Sequence, residues 1–273
     1  MHSPQLCQAA WPAMGAGALL DGTTRLSRDG ERIHHYSLIS SFAEACVVPE
    51  RSCVVIPKDV PFDVAGLVGC AVTTGVGAVW NTARVRPGDR VAIVGCGGVG
   101  LSALLGAVAA GASEIVAVDV SEAKLGVARE LGATQGILSA GTPEETGDAV
   151  REATGGGVDY AIEATGRPEA MTAAFLSTRN RGAAVLIGIP REDAVLLVPA
   201  LTIPRMERRI LGSIDGSARP ERDFLTILDL YRRGRLPLDR LVSHRLPLEK
   251  IDEAFALMHA GEARRADLDL EAA

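Results

Sequence analysis

The chain has 273 residues, of which 47% are hydrophobic, 23% are charged and 4% are aromatic, and its formal net charge is -6. This is an ordinary globular composition, and the acidic balance with few aromatic rings argues against a nucleic-acid partner. No run of about 20 apolar residues is evident, so no membrane span is predicted, and an odd number of cysteines without paired spacing is typical of a reducing, cytoplasmic compartment.

The first part of the chain has the composition of short strands rather than of alternating strands and helices. Predicted strands lie at 33–38, 43–48 and 53–56, and turn signals separate them. This pattern predicts part of an all-β domain that begins abruptly. Residues 62–84 then form an apolar, glycine-containing helix, for which Asp63 is the candidate N-terminal cap.

Residues 90–119 contain the most informative motif. An apolar run is followed by Gly95, Gly97 and Gly100 in the spacing G-x-G-x-x-G, by an Ala/Leu-rich segment, and by a second apolar run that ends in Asp119. This order of strand, glycine turn, helix, strand and acid is the dinucleotide-binding fingerprint. The first glycine permits the tight turn, the second lets the backbone approach a pyrophosphate, and the third lets the helix pack closely on the strand.

Asp119 determines which cofactor is expected. Its carboxylate can accept hydrogen bonds from the adenosine ribose hydroxyls, and it would repel a 2′-phosphate. The start of the helix supplies free N–H groups and a partial positive charge for the phosphates. The motif therefore predicts NAD rather than NADP.

Strands and helices alternate from residue 90 to about residue 214, which predicts a parallel, doubly wound α/β sheet with right-handed crossovers. After the glycine motif the predicted helices are 121–131, 143–154 and 168–177, and the predicted strands are 158–163, 183–187 and 209–213. The C-terminal part is predicted to contain helix 224–233, strand 241–246 and helix 248–260, the last ended by Gly261. Glu163 ends a strand and could face the site, although we favour a capping or solvated role.

Several separate motifs are similar to those of one enzyme family. They are Asp21-Gly22-Thr23-Thr24-Arg25, Ser41-Phe42-Ala43-Glu44, Val68-Gly69-Cys70, Val99-Gly100-Leu101-Ser102, Gly132-Ala133-Thr134 and Gly156-Gly157-Val158-Asp159. Through them the chain resembles the zinc-dependent medium-chain alcohol dehydrogenases, most closely the class that includes the glutathione-dependent formaldehyde dehydrogenases. The resemblance implies an incomplete β-rich, barrel-like (GroES-like) catalytic domain at 1–71, an NAD-binding Rossmann domain at 72–214, and a segment at 215–273 that returns to the catalytic domain.

The resemblance also implies roles for individual residues. Cys70 would be the last ligand of a catalytic Cys-His-Cys zinc, which acts as a Lewis acid on the alcohol, and Cys7 would be the fourth cysteine of a structural zinc lobe. Thr74 and Val99 would contact the two faces of the nicotinamide. The other implied cofactor contacts are Gly98 in the glycine turn, Lys124 at the adenosine ribose, Ile187 and Ile189 at the carboxamide, and Arg265 at the pyrophosphate.

Departures from the family's pattern leave two alternatives. The family's first catalytic Cys, its catalytic His and three structural cysteines have no counterpart by motif in this sequence. The chain is therefore interpreted either as an N-terminally truncated product or as a protein that has lost zinc chemistry, and the survival of Cys7 and Cys70 favours recent truncation. Trp11 stands where the glutathione-dependent class has Arg, which argues against recognition of a glutathione adduct.

The predicted activity is NAD-dependent hydride transfer from a primary alcohol, or from an S-hydroxymethyl thiol adduct, by a zinc-type alcohol dehydrogenase. The alternative is a catalytically silent NAD-binding remnant. A zinc-free quinone or enone reductase is disfavoured, because those relatives lack the Cys7 lobe and the Cys70 motif. Dimers in the family join through the edge strand of the nucleotide domain, here near 181–213, so the resemblance implies a homodimer or a homotetramer.

Overall fold

A six-stranded parallel sheet forms the centre of the computed structural model, which describes residues 3–43 and 45–269. In that part of the chain the strands are β1 (Leu26–Arg28), β2 (Glu31–Ile33), β3 (Arg90–Val94), β4 (Glu114–Asp119), β5 (Gln135–Leu138), β6 (Val158–Glu163), β7 (Thr178–Leu186), β8 (Arg209–Gly212), β9 (His244–Pro247) and β10 (Ala266–Asp269). The central sheet has the order β5-β4-β3-β6-β7-β8. The strand order reverses between β3 and β6, which confirms the predicted doubly wound, Rossmann-like α/β fold.

Two separate hydrophobic cores lie on the two faces of this sheet. Val91 and Ile93 of β3 belong to one core, and Ala92 and Val94 belong to the other. Successive side chains of a strand point to opposite faces, so an uninterrupted apolar run is what a strand with both faces covered requires. The helices are Trp11–Gly15, Phe62–Ala83, Gly98–Ala110, Glu122–Glu130, Pro143–Ala153, Pro168–Leu176, Thr202–Met206, Pro220–Arg232 and Ile251–Ala260.

Local sequence signals account for the ends of several helices. Thr142 and Glu145 form a reciprocal capping box at the start of Pro143–Ala153, with a proline in the first helical turn. The Ser121 side chain accepts a hydrogen bond from the backbone N–H of Lys124. Gly261 has a φ of 73° and ends the last helix, which confirms the prediction for that residue.

The helix Phe62–Ala83 crosses the junction between the N-terminal part and the sheet domain. It is 22 residues long with a mean hydropathy of 1.6, so by length and composition it could cross a membrane, a possibility that the sequence analysis overlooked. However, 67% of its most apolar window is buried inside the protein. A Cβ on Gly75 would overlap the carbonyl oxygen of Val99, so this helix packs directly on Gly98–Ala110. Burial in the core accounts for its hydrophobicity.

Most of the β-strand residues predicted between 33 and 56 do not form strands. Only the antiparallel pair β1–β2 forms before residue 62 in the described chain, and strands do not form at 33–38, 43–48 or 53–56, apart from Ile33 at the end of β2. Val47 and Val55 are 80% and 90% exposed, and although Ile56 packs on the core of the sheet domain, none of these segments pairs with a neighbouring strand in the described chain. An isolated strand without neighbours is not stable, and the local composition alone cannot supply a partner.

Smaller corrections concern other elements. Asp63 lies inside the first turn of its helix, whose N-cap is Pro61, so it is not the cap. The predicted strand 241–246 forms as β9, three residues later, and helix 248–260 begins at Ile251. The sequence analysis missed β5 and β10, which are short and only half-buried, and β10 pairs in parallel with β9.

Candidate functional site

The glycine turn lies at the carboxyl end of β3, where the strand order reverses. Gly95 has a φ of 95°, which a residue with a side chain rarely adopts. A Cβ on Gly100 would overlap the carbonyl oxygen of Gly95, so the helix Gly98–Ala110 can lie this close to the turn only with glycine there. A Cβ on Gly97 would meet nothing within 4 Å. The backbone of the turn is therefore open to an approaching ligand at this one position.

Asp119 is held in a defined orientation at the end of β4. Its side-chain Oδ2 accepts a hydrogen bond of 2.7 Å from the backbone N–H of Cys96, and Oδ1 accepts one of 3.0 Å from the N–H of Ser121. The residue is 8% exposed. With both oxygens anchored, the carboxylate keeps a fixed position, and a carboxylate oxygen can accept further hydrogen bonds.

A cavity of about 270 Å³ adjoins Asp119, and Gly95, Ser139, Thr146 and Thr165 are among the residues that line it. It lies between the ends of β3 and β4 and the loop that follows β6. Apolar Val94 and Val118 line it together with these hydroxyl and carboxylate groups, which suits a ligand with both a polar and an apolar part.

A second cavity, of about 500 Å³, lies on the other side of the glycine turn. Gly97, Gly98, Lys124, Arg264 and Arg265 all line it. A Cβ on Gly98 would lie 2.9 Å from Cδ of Arg265, so this arginine covers the start of the helix. The cavity thus combines positive side chains with the N-terminus of a helix, an arrangement that attracts anions.

Arg265 lacks a partner for one buried donor. Its side-chain Nε is buried and has no hydrogen-bond partner among the described residues. Burial lowers the pKa of the guanidinium, and interaction with Cys70 partly opposes that shift. A buried donor without an acceptor is costly, so an anionic ligand in this cavity would supply what the protein lacks. The unpaired Nε and the open space at Gly97 both fit a pyrophosphate.

The residues expected around the nicotinamide lie on three elements. Thr74 is half-buried on the helix Phe62–Ala83, next to the contact between Gly75 and Val99. Ile187 is buried after β7, and Ile189 is 74% exposed. The structure therefore places the helix that carries Thr74 against the helix that carries Val99, and it leaves Ile189 open to a ligand or to solvent.

The zinc ligands implied by the resemblance are not completed. Cys7 and Cys70 are both exposed, and Cys70 lines a cavity of about 240 Å³ with Gln5, Thr73 and Asp215. Within residues 3–43 and 45–269 there is no group of three or more His, Cys, Asp or Glu side chains that could hold a metal ion. A catalytic zinc needs three protein ligands and a structural zinc needs four, so the described residues do not fit either metal.

Glu163 was interpreted as a capping or solvated residue, and solvation is wrong. The side chain is fully buried, and Oε1 accepts hydrogen bonds from Thr165 and Gly166. Sequence reasoning also missed the role of Cys96, whose N–H anchors Asp119. Burial and then the charge of Asp119 raise the pKa of the Cys96 thiol to about 12. The one sequence feature that pointed to Glu163 and Cys96 was their position at the carboxyl ends of predicted parallel strands, where such sheets bind ligands.

Comparison with known proteins agrees with this geometry. Residues 98–233 match the family model described as zinc-binding dehydrogenase. The chain is similar to an alcohol dehydrogenase zinc-binding domain protein from Burkholderia ambifaria, with 34% identity, 97% of this chain and 74% of that chain covered, and a TM-score of 0.87.

Two further solved structures are similar. Benzyl alcohol dehydrogenase from Acinetobacter calcoaceticus is 31% identical to this chain, with a TM-score of 0.82. The match covers 97% of this chain and 74% of that chain. For 2R,3R-butanediol dehydrogenase from Bacillus subtilis the identity is 28%, the coverages are 77% and 58%, and the TM-score is 0.66. On its sequence motif, its sheet topology and these matches, the chain belongs to the zinc-binding dehydrogenase family of oxidoreductases.

Proposed function

We propose that this chain binds NAD across the glycine turn and belongs to an alcohol dehydrogenase that transfers hydride from a primary alcohol to the nicotinamide. The observation that carries the proposal is the fixed carboxylate of Asp119 beside Gly95, with the unpaired Nε of Arg265 on the opposite side of the turn. The first would accept hydrogen bonds from the adenosine ribose, and the second would bind the pyrophosphate.

The preference for NAD over NADP rests on charge. The two hydrogen bonds that hold the Asp119 carboxylate come from backbone N–H groups and not from an arginine side chain. A 2′-phosphate placed there would meet an uncompensated negative charge in a partly enclosed cavity, where repulsion is stronger than in water.

The substrate that we favour is an aromatic or other apolar primary alcohol. Support comes from the similarity to a benzyl alcohol dehydrogenase and from Trp11, which replaces the Arg of the glutathione-dependent class. An S-hydroxymethyl thiol adduct remains the competing substrate of that class, and it would need a cation where Trp11 lies.

Zinc-dependent turnover would need ligands beyond those described. Cys70 is exposed next to a cavity and could serve as one ligand, but two more would have to come from residues other than 3–43 and 45–269. The same observation supports a second candidate function, an NAD-binding protein without dehydrogenase activity.

We also propose that two copies of the chain join through β8. This strand is one edge of the six-stranded sheet, and exposed apolar side chains lie on it and in the segment between β7 and β8. They are Ile189, Val195, Leu197, Leu201, Ile203 and Ile210. An edge strand with exposed backbone and apolar neighbours is suited to pairing with its own copy. Sedimentation of the purified chain would detect the dimer, and a monomer at all concentrations would contradict it.

The test of NAD binding compares two glycine variants. In Gly97→Ala the added methyl group would occupy the open space in which we propose that the pyrophosphate binds. NADH affinity should therefore fall by about tenfold or more, while folding is unaffected. Gly126→Ala is the matched control, because a Cβ there also meets nothing within 4 Å but lies on the helix Glu122–Glu130. Equal NADH affinity for both variants would contradict the proposed site.

Activity separates the two candidate functions. The purified chain is assayed for reduction of NAD by benzyl alcohol, and its zinc content is measured on the same sample. Zinc-dependent reduction would support the dehydrogenase. NADH binding without zinc or reduction would support the silent module.

A further inference from the structure

The carboxylate of Glu163 is buried and forms no ion pair within the part of the chain that the structure describes. It lies at the carboxyl end of β6, between Val94 of β3 and Leu186 of β7, and is fully inaccessible to solvent. Among the described residues, Oε2 has no hydrogen-bond partner. Burying a carboxyl group with one unpaired oxygen costs free energy. We therefore expect Glu163 to have a role that offsets this cost.

The other carboxylate oxygen organises the loop after β6. Oε1 accepts hydrogen bonds of 2.6 Å from both the backbone N–H and the hydroxyl of Thr165, and one of 2.8 Å from the N–H of Gly166. The methyl group of Thr165 in turn lies where a Cβ on Gly95 would be. One oxygen atom thus fixes the wall of the cavity that adjoins the glycine turn.

The same residue also holds the loop after β7. The backbone carbonyl of Glu163 accepts hydrogen bonds from the N–H groups of Ile187 and Gly188, at 3.0 and 3.1 Å. A Cβ on Gly188 would overlap the N–H of Gly166 and would lie 2.8 Å from Oε2. The two loops are therefore in direct contact above the buried carboxylate, and only glycine fits at this contact.

We propose that Glu163 is a positioning residue for the dinucleotide, which holds the loops 164–166 and 187–189 in the spacing that the bound cofactor needs. The inference rests on the proposed NAD binding. Glu163 is too deeply buried to touch the ligand and acts through Thr165, which lines the adenosine-side cavity, and through the loop at Ile187, which leads to the nicotinamide side.

The two halves of the cofactor depend on Glu163 to different extents. Asp119 is anchored by Cys96 and Ser121, without help from Glu163, so AMP keeps its main contact in a Glu163 variant. NADH must also fit against the loop after β7. Loss of the carboxylate should therefore weaken NADH more than AMP.

The experiment measures Kd for NADH and for AMP, together with Tm, in Glu163→Gln and Asp159→Asn. Both are carboxylate-to-amide changes on β6, but Asp159 lies at the opposite end of the strand, where it accepts hydrogen bonds from Arg90 and Arg179. Glu163→Gln should weaken NADH by about tenfold and AMP by less than about threefold. Asp159→Asn should lower Tm and leave both Kd values within about twofold of the wild type.

A second variant covers the case in which Glu163→Gln does not fold. Thr165 is exposed, so Thr165→Val should fold, and it removes one donor to Oε1. We expect about threefold weaker NADH binding. Wild-type NADH affinity in Thr165→Val and in any folded Glu163→Gln protein, or proportionate losses for NADH and AMP in Glu163→Gln, would overturn the inference. Absence of NADH binding to the wild type would instead overturn the proposed function.

Discussion

The sheet domain and the N-terminal part of the same chain differ in how their apolar residues are used. In β3 the residues Val91, Ala92 and Ile93 are all fully buried between two cores. Before residue 62, by contrast, Tyr36 and Val55 are 84% and 90% exposed. The two parts contain similar apolar segments, so composition alone does not decide burial. What differs is whether neighbouring elements exist for those segments to pack against.

This difference gives the sheet domain most of the stability of the described chain. Within it, β3 pairs with β4 over five residues and with β6 over four, whereas β1 and β2 pair with each other over only three. A short, exposed pair contributes little by itself.

Trypsin should cleave the N-terminal part far faster than the sheet domain. Arg25, Arg28, Arg32 and Arg51 are exposed and lie outside any extensive hydrogen-bonded structure. Cleavage follows local opening, which costs little there and approaches the global unfolding free energy in the central strands. We expect rates to differ by about a hundredfold, measured by mass spectrometry over a time course. Equal cleavage rates in the two parts would contradict the comparison.

Two phenylalanines test the same contrast in stability. Phe175 is fully buried in the core on one face of the sheet, and Phe42 is 69% exposed. Phe175→Ala should lower the free energy of unfolding by about 3–5 kcal/mol, because it removes a large side chain and leaves a cavity. Phe42→Ala should change it by less than about 0.5 kcal/mol. Denaturant titrations would measure both, and similar losses would show that the N-terminal part is more tightly packed than described.

The cysteines offer a test that leaves the fold intact. Cys7, Cys46, Cys53 and Cys70 are exposed, while Cys96 is buried in the glycine turn. Burial raises the pKa of the Cys96 thiol to about 12, so at pH 8 this group stays protonated and unreactive. A thiol reagent should label four cysteines in the native protein, and the fifth only after denaturation. Rapid labelling of Cys96 in the native state would contradict its position.

The sheet domain could be predicted from the sequence because its signals are local. The glycine spacing and the apolar runs of β3 and β4 each depend on a few neighbouring residues. They identify strands, turns and helix starts without knowledge of distant contacts. The proposed division of the chain at residues 71 and 214 depends on more than such signals and stays a prediction.

The other features of the fold and of the candidate site could not be predicted, because they depend on contacts between residues that are far apart in the sequence. No local pattern reveals that the Glu163 carboxylate is buried beneath Gly188, or that Arg265 covers Gly98. The predicted N-terminal strands failed for a related reason, since strand composition has no effect where a partner strand is missing. The roles of Cys70 and Thr74 likewise come from the resemblance, and they remain expectations.

A paired titration with NADH and NADPH shows whether Asp119 and the glycine turn form an NAD site. We expect micromolar binding of NADH, at least about tenfold weaker binding of NADPH, and a smaller difference between the two in Asp119→Ser, which lacks the repelling charge. Equal affinity of the wild type for the two nucleotides, or no binding of either, would contradict it.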